Sequence, residues 1–252
     1  MPPLTYFQFH ALFVLPPLVV LAATLRSRRR GGGLRRWLGV AVVGVIALAY
    51  TIPWDNLLIA TGVWTYGDGA TAFTLWHAPL GEYVFILVQP LVTALWLFHL
   101  PTEREPVGTS LRQRVGGVAA GLAVSAVGLA LLTTQSTLYL GAILAWSGPV
   151  LAIQWGVGWP FLWRNRRLVA VAIGVPTLYF CAADRIALSL DIWILSSTYT
   201  TGLTVVGLPV EEGAFFLLTN TFVVQGLTLY EWVCDRIDAG EITSPAWAPV
   251  GR

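Results

Sequence analysis

The chain has 252 residues, of which 56% are hydrophobic and only 11% charged, with a mean hydropathy of +0.70 and a net charge of +2. A soluble domain carries about 25% charged residues, and so few polar side chains cannot cover the core a chain of this length would build. The composition excludes an ordinary soluble enzyme, a disordered chain and a disulfide scaffold, and points to an integral membrane protein.

A helix needs about 20 mostly apolar residues to cross a bilayer. In chain order the predicted spans are Leu4–Leu25, Trp37–Ile59, Pro79–Leu100, Val115–Leu132, Leu138–Trp163, Leu168–Leu188 and Pro209–Tyr230. Such continuous apolar runs fit helices rather than the alternating strands of a membrane barrel, so the predicted class is an all-α protein with seven transmembrane helices. The first span has no basic residue before it and no small-residue cleavage site after it, so it is expected to be retained rather than removed as a signal peptide. All 15 basic residues are Arg, and fourteen of them fall between spans one and two, three and four, five and six, or after span seven. They thus share one side, which is the cytoplasmic side, and the N-terminus is expected outside. Arg185 alone falls on the other side. Cys181 and Cys234 are far apart in or near apolar runs and read as structural thiols.

The two ends of the chain resemble each other. Asp55 and Asp184, like Trp64 and Trp193, are separated by 129 residues. The segment Pro79-Leu80-Gly81-Glu82-Tyr83-Val84-Phe85 matches Pro209-Val210-Glu211-Glu212-Gly213-Ala214-Phe215 at an offset of 130, and Pro16 matches Pro149 at 133. Spans one to three therefore repeat as spans five to seven. The expected architecture is 3+1+3, with parallel repeats related by an axis along the membrane normal. The corresponding units are residues 1–100, a linker with the fourth helix at 101–135, residues 136–235, and a cytoplasmic tail at 236–252. Gly117 and Gly121 offer the fourth helix a close-packing face.

Each repeat places an Asp at the end of its second helix and a Glu at the start of its third. Asp55, Glu82, Asp184, Glu211 and Glu212 all lie at the outer ends of spans. Charge within a bilayer is costly, so such groups face the protein interior and are candidates for function. A structural role is the alternative: a Glu in a helix's first turn suits the macrodipole, and Asp184 has Arg185 beside it. Aromatics crowd the same level, among them Trp54, Trp64, Tyr66, Trp76, Tyr83, Phe85, Trp193, Tyr199, Phe215 and Phe216. Many tryptophans of membrane proteins form an interfacial belt. An inward aromatic wall around carboxylates would instead suit a cationic intermediate.

The absences narrow the field. The chain has no dinucleotide fingerprint and no Walker A sequence. His10, His77 and His99 lack metal-ligand spacing, and no metal site is expected. Asp235 and Asp238 are the nearest approach to an Asp-rich magnesium-diphosphate motif and read as a solvated helix end. A retinal Schiff base needs a Lys, and there is none.

Pro209-Val210-Glu211-Glu212 followed by Phe215-Phe216, with its partial copy Pro79-Leu80-Gly81-Glu82 and Phe85, resembles the Pro-x-Glu-Glu motif of the heterodimer-type lycopene cyclases. Trp54-Asp55-Asn56 and Gly62-Val63-Trp64-Thr65-Tyr66 also look like that family. The resemblance covers nearly the whole chain and is to the fused archaeal form, with its linking helix. The first copy departs from the motif, since Gly81 stands where the second has Glu211.

The resemblance implies an acid-catalysed, non-redox cyclisation of lycopene through a carbocation, giving γ- and then β-carotene. Glu82, Glu212, Glu211, Asp55 and Asp184 would move protons, and Trp54, Trp64, Tyr83, Phe85, Trp193, Phe215 and Phe216 would line the substrate site. It implies lycopene and carotenoid intermediates as partners, the lipid bilayer of the cell membrane as the setting, and other carotenoid enzymes nearby. Neither a tightly bound cofactor nor a nucleic-acid partner is expected. Two alternatives stand beside this reading. A sugar-efflux transporter of the SWEET type also uses 3+1+3 parallel repeats, with helix-bending prolines comparable to Pro16, Pro53, Pro149 and Pro176. A C50 or ε-ring carotenoid cyclase would share the same acids.

Overall fold

The computed structural model describes residues 4–27, 33–101 and 107–241. Arg28, Arg29, Arg30, Arg104 and Arg252, with the tail beyond 241, lie outside the described residues. Among the described residues seven helices are long and apolar enough to cross a membrane. The helix α1 opens at Tyr6–Phe9, widens into a π-helical turn at His10–Val14 and continues through Leu15–Ser27. The others are α2 (Leu34–Thr61), α3 (Leu80–His99), α4 (Leu111–Leu131), α5 (Leu138–Arg164), α6 (Arg166–Ser189) and α7 (Val210–Asp238).

Several helices run longer than the apolar pattern predicts, and for two of them the local polar reason is plain. Ser110 and Gln113 form a capping box, which starts α4 ahead of its apolar run. At the other end of the chain, α7 continues past Tyr230 because its last turns are held to α2 by ion pairs. Arg36 Nε lies 2.8 Å from Glu231 Oε1, and Arg35 contacts both Asp235 and Asp238.

The all-α expectation holds within the spans but not between α2 and α3 and between α6 and α7, where six short strands form among the described residues. They are β1 (Trp64–Tyr66), β2 (Thr74–Leu75), β3 (Ala78–Pro79), β4 (Trp193–Leu195), β5 (Thr204–Val205) and β6 (Leu208–Pro209). The ribbon β2–β3 leads into α3 and the ribbon β5–β6 into α7. Their turns hold Trp76 and Val206 at positive φ, 59° and 53°. Between them, β1 pairs antiparallel with β4, with Trp64 opposite Leu195, Thr65 opposite Ile194 and Tyr66 opposite Trp193. These strands are too short for a periodic signal; tertiary pairing makes them.

Helices α3 and α7 pack together in the centre, with α1 and α2 on α3, and α5 and α6 on α7. A buried polar knot joins the centre at mid-depth. Asn220 accepts from Gln89 Nε2 and Thr93 Oγ1, both at 2.6 Å, and donates to Thr177 Oγ1. Each partner is satisfied, which is what makes a polar group tolerable there. Helix α4 lies along α5, where Gly117, Gly121 and Gly128 meet the α5 backbone too closely for any Cβ.

Candidate active site

Asp55 lies near the C-terminal end of α2, Glu82 in the first turn of α3, Asp184 near the C-terminal end of α6 and Glu212 in the first turn of α7. Pro79 and Pro209 stand at the N-caps of α3 and α7 with extended ψ, which sets the helix start just ahead of each Glu. All four acids line one cavity of about 60 Å³. Trp54, Trp64, Phe85, Trp193, Phe215 and Phe216 line the same cavity.

The acids are held by aromatic donors. Tyr66 donates to Glu82 Oε1 at 2.6 Å, and Trp64 Nε1 donates to the Tyr66 hydroxyl at 3.0 Å. Tyr139 donates to Glu212 Oε1 at 2.9 Å, and Trp193 Nε1 donates to Asp184 Oδ1 at 3.0 Å. Burial and then the Glu82 charge push the Tyr66 phenol well above its ordinary range, so it stays a donor. Asp184 therefore does not use its neighbour Arg185, which is exposed and lies against Gly207.

Asp55 Oδ2 and Asp184 Oδ2 are buried with no hydrogen-bond partner in the protein. An unsatisfied buried acceptor costs about 1–3 kcal/mol, so two of them in one cavity call for a functional reason. Ring faces attract positive charge. A buried set of proton-exchanging groups among such faces can give a proton, hold a cation and take a proton back.

Two predicted site residues lie elsewhere. Glu211 is fully buried but outside the cavity lining, and its Oε1 accepts from the Thr201 backbone N–H at 2.7 Å. Tyr83 also lies off the lining: its hydroxyl donates to the Leu75 carbonyl and accepts from Asn56 Nδ2. Tyr83 thus holds the ribbon that leads into α3, and Glu211 holds the loop ahead of the ribbon that leads into α7. Conversely, the lining includes Tyr6, Phe9, Thr51, Tyr139 and Phe180, which sequence reasoning did not single out. A signal for two of them existed. Tyr6 and Tyr139 are 133 residues apart, the offset that relates Pro16 to Pro149. Among the described residues, no group of His, Cys, Asp and Glu is arranged to hold a metal.

Fold and cavity together define a multi-pass membrane protein with a buried acid cluster walled by aromatic rings. The lycopene beta-cyclase of Halobacterium salinarum is 52% identical to the chain over 234 residues, covering 92% of this chain and 98% of that protein. The bifunctional lycopene cyclase/phytoene synthase of Gibberella fujikuroi is 34% identical over 234 residues, or 88% of this chain and 39% of the fungal protein. That of Aspergillus oryzae is 31% identical over 221 residues, or 83% of this chain and 37% of the fungal protein. No protein-family model matches the chain, and no solved structure matches it. The chain belongs to the family of the lycopene beta-cyclases.

Proposed function

We propose that the protein cyclises lycopene to β-carotene by acid catalysis without net redox change. The observation that carries this reading is the convergence of Asp55, Glu82, Asp184 and Glu212 on one aromatic-lined cavity. A carboxylic acid of the set protonates a terminal double bond. The tertiary cation is attacked by the neighbouring double bond, which closes a six-membered ring. A carboxylate of the set then takes a ring proton, leaving the β-ionone double bond. Atoms balance, because one proton enters and one leaves. General acid–base catalysis of this kind is worth about 10²–10⁴-fold. In this reading Glu82, Glu212, Asp55 and Asp184 are the proton-transfer groups, Tyr66 and Tyr139 position the two Glu, and no cofactor takes part. Glu211 and Tyr83 are assigned to the fold around the site.

The architecture we infer is the 3+1+3 arrangement of units 1–100 and 136–235 joined through 101–135, with the N-terminus and the acids on the outer side of the cell membrane. The β1–β4 pairing supports it. Thr65 lies opposite Ile194, its counterpart at offset 129, and Trp64 and Tyr66 face the counterparts of Tyr66 and Trp64. Such a register is symmetric about a two-fold axis through its central pair. Lycopene and its monocyclic intermediate are the partners of the site, and other carotenoid enzymes supply and remove them. Expression in a lycopene-accumulating bacterium tests the reading. We expect β-carotene among the extracted pigments; unchanged lycopene with folded, inserted protein would overturn it.

A further inference from the structure

The cavity around the acids is far smaller than the roughly 300–1,000 Å³ of ordinary ligand pockets, at about 60 Å³. It can take the reacting end of a long hydrocarbon only if a wall moves, and the rest of that molecule must lie elsewhere. Two walls are candidates. Tyr50 of α2 donates to the Trp146 carbonyl of α5 at 2.8 Å, and Tyr179 of α6 donates to the Phe13 carbonyl of α1 at 2.7 Å. Tyr50 and Tyr179 are 129 residues apart, and Phe13 and Trp146 are 133 apart, the same offsets that relate the acids and the prolines. Each bridge spans a cleft between the two units, one floored by α7 and one by α3. The tyrosines at both bridges are 37% exposed on the lipid-facing surface.

The clefts differ in how their rings are set. Beside Tyr50 four rings are nearly parallel, with Phe222 tilted at 59° to Trp146. Tyr50 and Trp146 meet at 18°, Trp146 and Trp54 at 24°, and Trp54 and Phe215 at 1° with centroids 6.1 Å apart. Trp54 and Phe215 also line the acid cavity, so the stack is continuous with it. Beside Tyr179, by contrast, Tyr179 meets Phe180 at 79° and Phe85 meets Phe180 at 88°, and of the rings there Phe180 stacks on Phe216. Both kinds of ring pair are favourable; what sets the side beside Tyr50 apart is one stacked row running unbroken from the exposed Tyr50 through Trp146 and Trp54 to Phe215 in the lining of the acid cavity. Further inward on this side Phe222 meets Trp146, Val43 lies near Gly226, and Gln154 Nε2 donates to the Phe222 carbonyl.

We propose that the α2–α5 cleft is the track that binds the conjugated chain of the substrate, and that the Tyr50–Trp146 hydrogen bond is the gate through which the substrate passes from lipid to the acids. This rests on the reading of the substrate as a linear polyene. The α1–α6 cleft, closed by Tyr179, is a structural seam.

Thiol labelling tests the assignment in the full-length protein, with Cys181 and Cys234 replaced by Ser. Tyr50→Cys and Tyr179→Cys, reconstituted in liposomes, are each reacted with a bulky maleimide, and lycopene conversion is compared with the same variant unlabelled. We expect labelling at 50 to lower conversion at least tenfold, and labelling at 179 to change it less than twofold. Val43→Cys, seven residues earlier on α2, replaces Tyr50→Cys if that variant fails to fold. Equal losses at both sites, a loss at 179 alone, or no loss at either would overturn the track. Folded unlabelled variants that all leave lycopene untouched would instead count against the cyclase reading itself.

Discussion

Gly81 lies directly beneath the ring of Tyr6, so that a Cβ at position 81 would overlap the ring. The counterpart of Gly81 in the second unit is Glu211, whose side chain turns away to the Thr201 backbone. Position 81 thus has no room for the side chain that Pro-x-Glu-Glu would place there, while position 211 supplies an acceptor for a loop N–H, even though Tyr139 lies against Glu212 much as Tyr6 lies by Glu82.

Gly81→Ala should accordingly displace Tyr6. Overpacking of a filled interior costs about 1–3 kcal/mol. We expect lower thermal stability and reduced conversion of lycopene, with the stability recovered in part when Tyr6 is also replaced by a residue without a ring, such as Tyr6→Ala, since the overlapping atoms are ring carbons. Full activity and unchanged melting of Gly81→Ala in detergent would contradict the packing argument.

The neighbours Glu211 and Glu212 separate structure from chemistry. Glu212→Gln keeps the shape and removes the transferable proton, so cyclisation should fall by about 10²-fold or more, with the protein still inserted. Glu211→Gln retains an oxygen acceptor for Thr201 and should keep most of the activity. Glu211→Ala leaves that buried N–H unsatisfied, at about 1–3 kcal/mol, and should melt earlier. A Glu212→Gln variant retaining more than about a tenth of the wild-type rate would remove Glu212 from the proton path.

Because all four acids line one cavity, the two ends of a symmetric substrate should be processed in succession at one site. An extended C40 chain is about as long as the ~30 Å hydrocarbon core is thick, so it cannot bring both ends to one membrane level. Pigment time courses should show γ-carotene rising before β-carotene. Glu82→Gln and Glu212→Gln should each lose the first cyclisation. If each single variant instead stopped cleanly at the monocyclic product, two independent sites would be the better description.

The chemistry proposed needs no electron carrier. Purified protein should show no flavin absorbance, and conversion should proceed without added nicotinamide. A stoichiometric flavin in active preparations would displace the four carboxylates as unaided proton donors.

What could be read from the residues alone follows a physical divide. The spans were legible because burial in lipid demands unbroken apolar runs, and Asp55, Glu82, Asp184 and Glu212 stood out because charge is rare there. Neither signal depends on tertiary contacts. The ribbons, by contrast, are two or three residues long and exist through pairing. Tyr66 and Tyr139 look like any interfacial tyrosine until the fold sets a carboxylate opposite each hydroxyl. Glu211 stands off the cavity lining for the converse reason: adjacent acids in one helical turn point in different directions, which a motif written in one dimension does not record.

Helix α4 lies along α5, and its residues line no part of the acid cavity. Everything that touches the proposed chemistry belongs to α1–α3 with β1, or to α5–α7 with β4. The peptide link between these sets is then a matter of delivery rather than of structure. A gene cut before α4 would yield two polypeptides that still recognise one another through the β1–β4 pair and the α3–α7 crossing, and α4 would travel with the second as a passenger. Covalent continuity here fixes the ratio of the two halves at one to one, a task that transcription and translation would otherwise have to perform.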